Sequence, residues 1–304
     1  MAAVAQPVEP RARWKTLLAF GVIYFVWGST FYAIRVGVSE VPPLLLAAMR
    51  FLAAGLALTA WTLARRERLP ARREWASVLL LAFLMFAVDY GLLFWAEQRV
   101  PSGLAAVMLA TIPAFMALSE IVLLRTQRLT PRLALALAIG VAGVAVLVSH
   151  SLHLGGAPIA AAGAVALLIG AVTWSIASTL TRILPLPASK GMTAGTEMLA
   201  GGVMLMAASA LSGEFHGFHL SAVSAGAWFA LAYLVVAGSI VGFTAYLWLI
   251  HHESPTRVGT YAYVNPVVAV LVGYFLGGEP LGPRTLAGTA CVLASVVMIT
   301  RRKK

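Results

Sequence analysis

The 304-residue chain lacks most of what soluble chemistry is built from. It holds 1 cysteine, Cys291, which excludes a disulfide framework and any thiol pair. Only 11% of its residues are charged, well below the roughly 25% of soluble domains. Its 6 histidines are His150, His153, His216, His219, His251 and His252, all in or beside the connections between apolar runs. The first two pairs have i, i+3 spacing, but a wet loop face accounts for them better than metal binding or pH sensing. No His-Glu-x-x-His, Gly-x-Ser-x-Gly or phosphate-loop pattern occurs. These absences argue against an enzyme, against a bound metal or cofactor, and against ATP-driven pumping by this chain.

What is abundant is apolar sequence. Hydrophobic residues make up 61% of the chain, and the mean hydropathy is +0.89. Apolar runs separated by breakers predict spans near 16–36, 42–64, 75–97, 101–124, 131–149, 157–180, 192–212, 223–249, 255–277 and 283–300. Prolines at or near the first turn mark five starts: Pro42-Pro43, Pro101, Pro131, Pro255 and Pro283. Thr130 and Ser254 are the corresponding N-cap candidates. Residues 1–15 read as a retained polar tail, not a removable signal peptide, and residues 301–304 as a basic tail at anionic lipid.

The chain also matches itself. Trp27 and Arg35 recur as Trp174 and Arg182 at an offset of 147, and Arg50–Gly55 recurs as Glu197–Gly202. Pro113 answers Pro266, and Pro131-Arg132 answers Pro283-Arg284. The expected organisation is therefore a first repeat at 16–150 and a second at 151–300, five spans each. The net charge of +11 does not form a nucleic-acid-binding stripe. Most of the 22 basic residues lie in one alternate set of connections, whereas the other set holds only Arg99 and Arg284. By the positive-inside rule both termini are cytoplasmic, in an inner (plasma) membrane. Five spans per repeat then insert the second copy upside down, the arrangement that supports alternating access. Two complete repeats supply both halves of such a machine, so no second copy of the chain is required.

Trp27-Gly28-Ser29-Thr30-Phe31, Arg50-Phe51, Pro101-Ser102-Gly103 and Tyr263-Val264-Asn265-Pro266 carry a resemblance to the EamA family of the drug/metabolite transporter superfamily. The resemblance spans essentially the whole chain. It implies ten helices in a basket-like bundle, with a central cavity lined mainly by spans one, three, four, six, eight and nine. It also implies export of amino acids, aromatic metabolites or organic cations. The chain differs from many members at Asp89, where a neutral polar residue is frequent.

Candidate site residues follow from what is costly or unusual inside a membrane. Pro113 and Pro266 each free the carbonyl four residues back, on Leu109 and Ala262, and predict kinked helices, either bordering the cavity or simply packing. Trp27, Tyr32, Tyr90, Trp95, Trp174, Tyr246, Tyr261 and Tyr263 crowd spans one, three, six, eight and nine. They suit stacking on aromatic cargo or cation–π contact, or alternatively aromatic core packing. Asp89, deep in span three, is a candidate for a coupling proton or a substrate ammonium, with a structural hydrogen-bonding role as the alternative. Arg50 and Glu197 are repeat equivalents of opposite charge, able to pair with each other; Arg50 could instead hold a substrate carboxylate, or both could serve the helix ends. Glu120 reads as a solvated span end, and Asn265 either offers donor and acceptor to a zwitterion or satisfies its own kink. The leading expectation is an exporter of small amphipathic metabolites, amino acids in particular. Efflux of hydrophobic cations is the alternative, and a membrane sensor or enzyme is a distant one.

Overall fold

Apolar runs with proline or hydroxyl residues at their starts fold as the hydropathy pattern requires. The computed structural model describes residues 13–98, 108–153, 161–277 and 283–300, and every regular element among them is helical. In chain order these are α1 (Arg13–Val38), α2 (Pro43–Ala64), α3 (Arg72–Glu97), α4 (Ile112–Leu124) and α5 (Pro131–His153). Then come α6 (Ala161–Leu180), α7 (Lys190–Leu211), α8 (Ala225–His252), α9 (Tyr261–Gly277) and α10 (Pro283–Thr300). Of these, α1, α2, α3, α7 and α8 are long and apolar enough to cross a bilayer as described. Large apolar side chains face outward, among them Phe25, Phe229 and Leu286, as a lipid-facing surface demands. The start expected for span four at Pro101, Arg99, and both extreme tails lie outside the described residues.

Helix starts are closed by hydroxyls. Thr130 accepts the Leu133 amide at 3.2 Å and Ser254 accepts the Arg257 amide at 3.3 Å, the latter in a short turn, Pro255–Val258, that leads into α9. Ser189 and Ser224 do the same for α7 and α8. Glycines then set how closely helices approach. A Cβ on Gly55 of α2 would lie 2.5 Å from the Leu199 amide of α7, and one on Gly195 would lie 2.5 Å from the Thr59 hydroxyl. Gly140 and Gly143 of α5 serve contacts inside the bundle, with Tyr263 of α9 and with Cys291 and Val292 of α10.

The helix contacts pair corresponding elements of the two halves of the chain. Helices α2 and α7 lie against each other, as do α5 and α10; α1 packs on α9 and α8, and α6 packs correspondingly on α4 and α3. Helices α3 and α8 also depart from α geometry at matched places. Each contains a stretch of wider π turns, Phe83–Tyr90 in α3 and Leu234–Val241 in α8. Each stretch ends at a glycine whose amide reaches five residues back: Gly91 to Phe86 and Gly242 to Ala237. Such turns leave a helical carbonyl without its usual partner and are frequent at functional sites.

Candidate functional site

A cavity lies where these irregular helices meet. Its wall is formed by Trp27, Thr30, Phe31 and Ile34 of α1, Asp89, Tyr90 and Leu93 of α3, and Leu109 and Ile112 at the entry to α4. Trp174 of α6 and Tyr261, Ala262, Asn265 and Pro266 of α9 complete it. The α1 residues recur at helical spacing, which puts them on one face. They fall past the middle of α1, and the α3 residues lie toward that helix's C-terminal end. The cavity therefore occupies the half of the bundle in which α1 and α3 finish.

Its floor is aromatic. The Trp27 ring lies 5.7 Å from Trp174, 5.2 Å from Tyr246 and 4.9 Å from Tyr261, while Trp174 lies 5.0 Å from Tyr246. Edge and tilted contacts of this kind add to the stabilisation that burial of the rings supplies. The Trp27 indole donates to the Gly238 carbonyl at 2.9 Å, and the Tyr246 hydroxyl is hydrogen-bonded to Ser178.

One carboxylate stands in the wall. Asp89 is buried, at 7% exposure, and receives no hydrogen bond or ion pair from the described residues. Gly170 of α6 makes room for it: a Cβ there would lie 2.8 Å from Asp89 Oδ1. No basic residue lines the cavity among the described residues. An uncompensated carboxylate inside a membrane bundle is costly, and a cation or a proton from the ligand side removes that cost.

Six of the ten expected lining residues are brought together here: Trp27, Asp89, Tyr90, Trp174, Tyr261 and Asn265. Tyr32 is not; it is 59% exposed on the far face of α1, and its neighbour Phe31 takes the wall position. A helix turns about 100° per residue, so a shift of one position is enough to change faces. Trp95 is partly buried outside the wall, and Tyr246 lies fully buried beneath it. Tyr263 is buried elsewhere, against Gly140, with its hydroxyl donating to the Leu137 carbonyl at 3.2 Å. Thr30, Phe31, Ile34 and Leu93 were missed, although their i+3, i+4 and i+7 spacing from Trp27 and i+4 from Asp89 is a readable signal.

The proline pair behaves asymmetrically. Pro266 lies inside α9, whereas Pro113 sits in the first turn of α4, just after a two-residue break at Ala110–Thr111 that has helical residues on both sides. The residues four before them, Leu109 and Ala262, both line the cavity. Turned so that its nitrogen faces acceptors, the Asn265 side-chain amide donates to the main-chain oxygens of Tyr24 at 3.2 Å and Tyr261 at 3.0 Å, an orientation that secures the backbone beside Pro266.

The charged repeat pair does not meet. Arg50 is buried, with Nε donating to Ser239 at 2.8 Å and its guanidinium 4.8 Å from the Phe51 ring centre and 5.1 Å from that of Tyr90. Both Glu197 oxygens are buried without a hydrogen-bond partner, in α7 where it packs on α2. Neither residue lines the cavity. Glu120 is not a solvated end: it is 2% exposed and accepts the Thr256 hydroxyl at 2.7 Å and amide at 3.2 Å.

Comparison with known proteins gives the same architecture a context. The "Uncharacterized inner membrane transporter YedA" of Escherichia coli K12 is 42% identical over 94% of this chain and 90% of its own. The "Probable amino-acid metabolite efflux pump" of Salmonella typhimurium is 28% identical, covering 90% of this chain and 91% of its own. The "Probable terminal-alkyne amino-acid exporter" of Streptantibioticus cattleyicolor is 29% identical over 95% and 94%. A solved crystal structure superposes with a TM-score of 0.76 at 21% identity, covering 95% of this chain and 98% of its own, which shows the fold. The EamA-like transporter family matches residues 13–149 and again 161–301. One family unit thus occurs twice, and residues of both copies meet around a single cavity. The chain belongs to the EamA-like transporter family.

Proposed function

We propose that this chain exports small amphipathic metabolites carrying an ammonium group, aromatic amino acids foremost, across the inner membrane by alternating access. Ten spans in two inverted repeats, with both termini cytoplasmic, form the machine. The reciprocal packing of α1 on α9 and of α6 on α4 supports the pseudo-two-fold relation. With that orientation the cavity opens in the outer half. The aromatic floor closes the inner half, reinforced by Tyr24 hydrogen-bonded to Thr260 at 2.7 Å and by Glu120 on Thr256.

The observation that carries the cargo class is Asp89, an unpartnered carboxylate in a wall of aromatic rings. A substrate ammonium pairs with it while an aromatic or apolar side chain stacks on Trp27, Trp174 and Tyr261; each cation–π contact contributes on the order of 0.5–2 kcal/mol. Two relatives whose names refer to amino-acid export support the amino-acid class. The same wall suits hydrophobic organic cations, because no basic side chain stands ready there for a carboxylate.

The test is counterflow of labelled tryptophan, phenylalanine and threonine in liposomes holding wild type or Asp89→Asn, with and without a pH gradient. Aromatic amino-acid flux that collapses with the gradient only in the wild type supports proton-coupled export through Asp89. Flux in both proteins regardless of gradient makes the chain a facilitator. No amino-acid flux, with flux of a quaternary ammonium dye, moves the cargo to organic cations.

A further inference from the structure

The π turns of α3 and α8 set one carbonyl in each repeat aside from its usual amide four residues on. Because Gly242 bonds Ala237 five residues back, its amide bypasses the Gly238 carbonyl; because Gly91 bonds Phe86, its amide likewise bypasses that of Ala87. An unmet carbonyl inside a membrane bundle seeks another donor. In α8 the donor is Trp27 of α1, whose indole N–H reaches the Gly238 oxygen at 2.9 Å. The approach depends on glycine, since a Cβ at position 242 would lie 2.5 Å from Trp27 Nε1.

In the other copy the parts are present but unjoined. Trp174 occupies in α6 the place of Trp27 in α1, and α6 packs on the π turns of α3 as α1 packs on those of α8. Gly91 answers Gly242. Yet the Trp174 indole N–H is buried, faces the Tyr261 hydroxyl and makes no hydrogen bond of good geometry. Ala87 stands where Gly238 does, and Ala177 where Thr30 does. A Cβ on Gly238 would lie 3.0 Å from Thr30 Cγ2, so the methyl gained on α3 is matched by the smaller side chain on α6. Both rings line the cavity, 5.7 Å apart.

We propose that Trp27 and Trp174 exchange roles in the transport cycle. In the conformation described, Trp27 is held on the Gly238 carbonyl and Trp174 is free. In the opposite-facing conformation Trp174 is held on the Ala87 carbonyl and Trp27 is released. The inference rests on the inverted-repeat reading, in which the two copies swap conformations between states. Each indole then stabilises one access state by a single buried hydrogen bond, and a guest stacked between them touches both members of the switch. The repeat counterparts become functionally opposite because only one of the two bypassed carbonyls is met by an indole at a time.

The experiment removes each N–H while keeping an aromatic ring, in a Cys291→Ser background. Reporter cysteines replace Ile34 in the cavity wall or Val258 below the aromatic floor, and labelling rates with an impermeant maleimide are read from each side of sealed vesicles. Trp27→Phe is expected to shift the ratio of inner to outer labelling about threefold to tenfold toward the cytoplasm-facing state. Trp174→Phe is expected to shift it the other way, and the double variant to return near wild type, which also shows that the protein folds without either indole. Shifts of both single variants in the same direction, or none in either while wild type labels from both sides, would overturn the exchange and leave alternating access standing. Wild-type labelling from one side only, with substrate present or absent, would overturn the exchange together with alternating access.

Discussion

Glu40 and Ser224 hold each other twice across the two copies of the fold. The Glu40 carboxylate accepts the Ser224 main-chain amide and the Ser224 hydroxyl, both at 2.7 Å, just where α8 begins. The reciprocal contact is made by Glu214, which follows α7 and accepts the amides of Leu44 at 3.2 Å and Leu45 at 2.9 Å at the start of α2. On the opposite end of the bundle Ser189, which caps α7, donates to Glu67, and Glu120 accepts from Thr256. Scarce acidic residues are thus placed on helix N-termini of the other copy, where free amides and the helix dipole both favour a negative charge.

The Glu40 contact is expected to depend on pH. The Ser224 amide, and then its hydroxyl, hold the Glu40 carboxyl below its usual range. A group with a lowered folded-state pKa contributes stability above its unfolded value and loses it as pH falls through the folded value. Glu40→Ala should therefore melt slightly earlier than wild type in detergent at neutral pH. The difference should fade as the pH drops below the carboxylate range, and a difference that persists there would assign the effect to packing.

Loss of the Glu214 cap should be felt more strongly, because it leaves two α2 amides and the Ser209 hydroxyl, which donates to it at 2.8 Å, without their acceptor. Glu214→Ala is expected to cost about 1–2 kcal/mol. Thermal unfolding followed by circular dichroism measures it, and Glu214→Gln, which keeps an acceptor oxygen, should recover part of the loss.

Gly55 leaves no room for a side chain. A Cβ there meets main-chain atoms of α7, the Leu199 amide at 2.5 Å and the Gly195 carbonyl at 2.9 Å, and backbone cannot move aside as a side chain does. Gly55→Ala should destabilise by about 1–3 kcal/mol. The same change at Gly21, which has nothing within 4 Å of such an atom, is the control expected to be neutral or stabilising in chemical denaturation.

Gly170→Ala separates site geometry from stability. Its added methyl would lie 2.8 Å from Asp89 Oδ1, the far end of a side chain able to rotate away. The melting temperature should change little, while apparent affinity for an ammonium-bearing substrate in counterflow should fall on the order of tenfold, the equivalent of one weakened charged hydrogen bond. Unchanged affinity would remove Asp89 from the cargo contact.

Much of the membrane architecture was written in local sequence. Apolar length predicts the helices, proline and hydroxyl residues predict their starts at Pro43, Thr130-Pro131 and Ser254-Pro255, and the recurrence of Trp27 as Trp174 predicts the duplication. Rare polar and aromatic residues in apolar runs, Asp89 and the two tryptophans above all, pointed at the cavity because membranes penalise them unless they act. Tertiary structure alone decided the rest. The choice of Phe31 over Tyr32 for the wall depends on helix rotation, which is set by packing against α8 and α9. The π turns of α3 and α8 need partners such as the Trp27 indole, 211 residues from the Gly238 carbonyl it serves. Glu120 reads as an ordinary span-end charge until Thr256, from the other copy, supplies the amide and hydroxyl that hold it. Local sequence determines where a chain pays or avoids the cost of entering lipid; which buried donor finds which acceptor is settled only when distant segments meet.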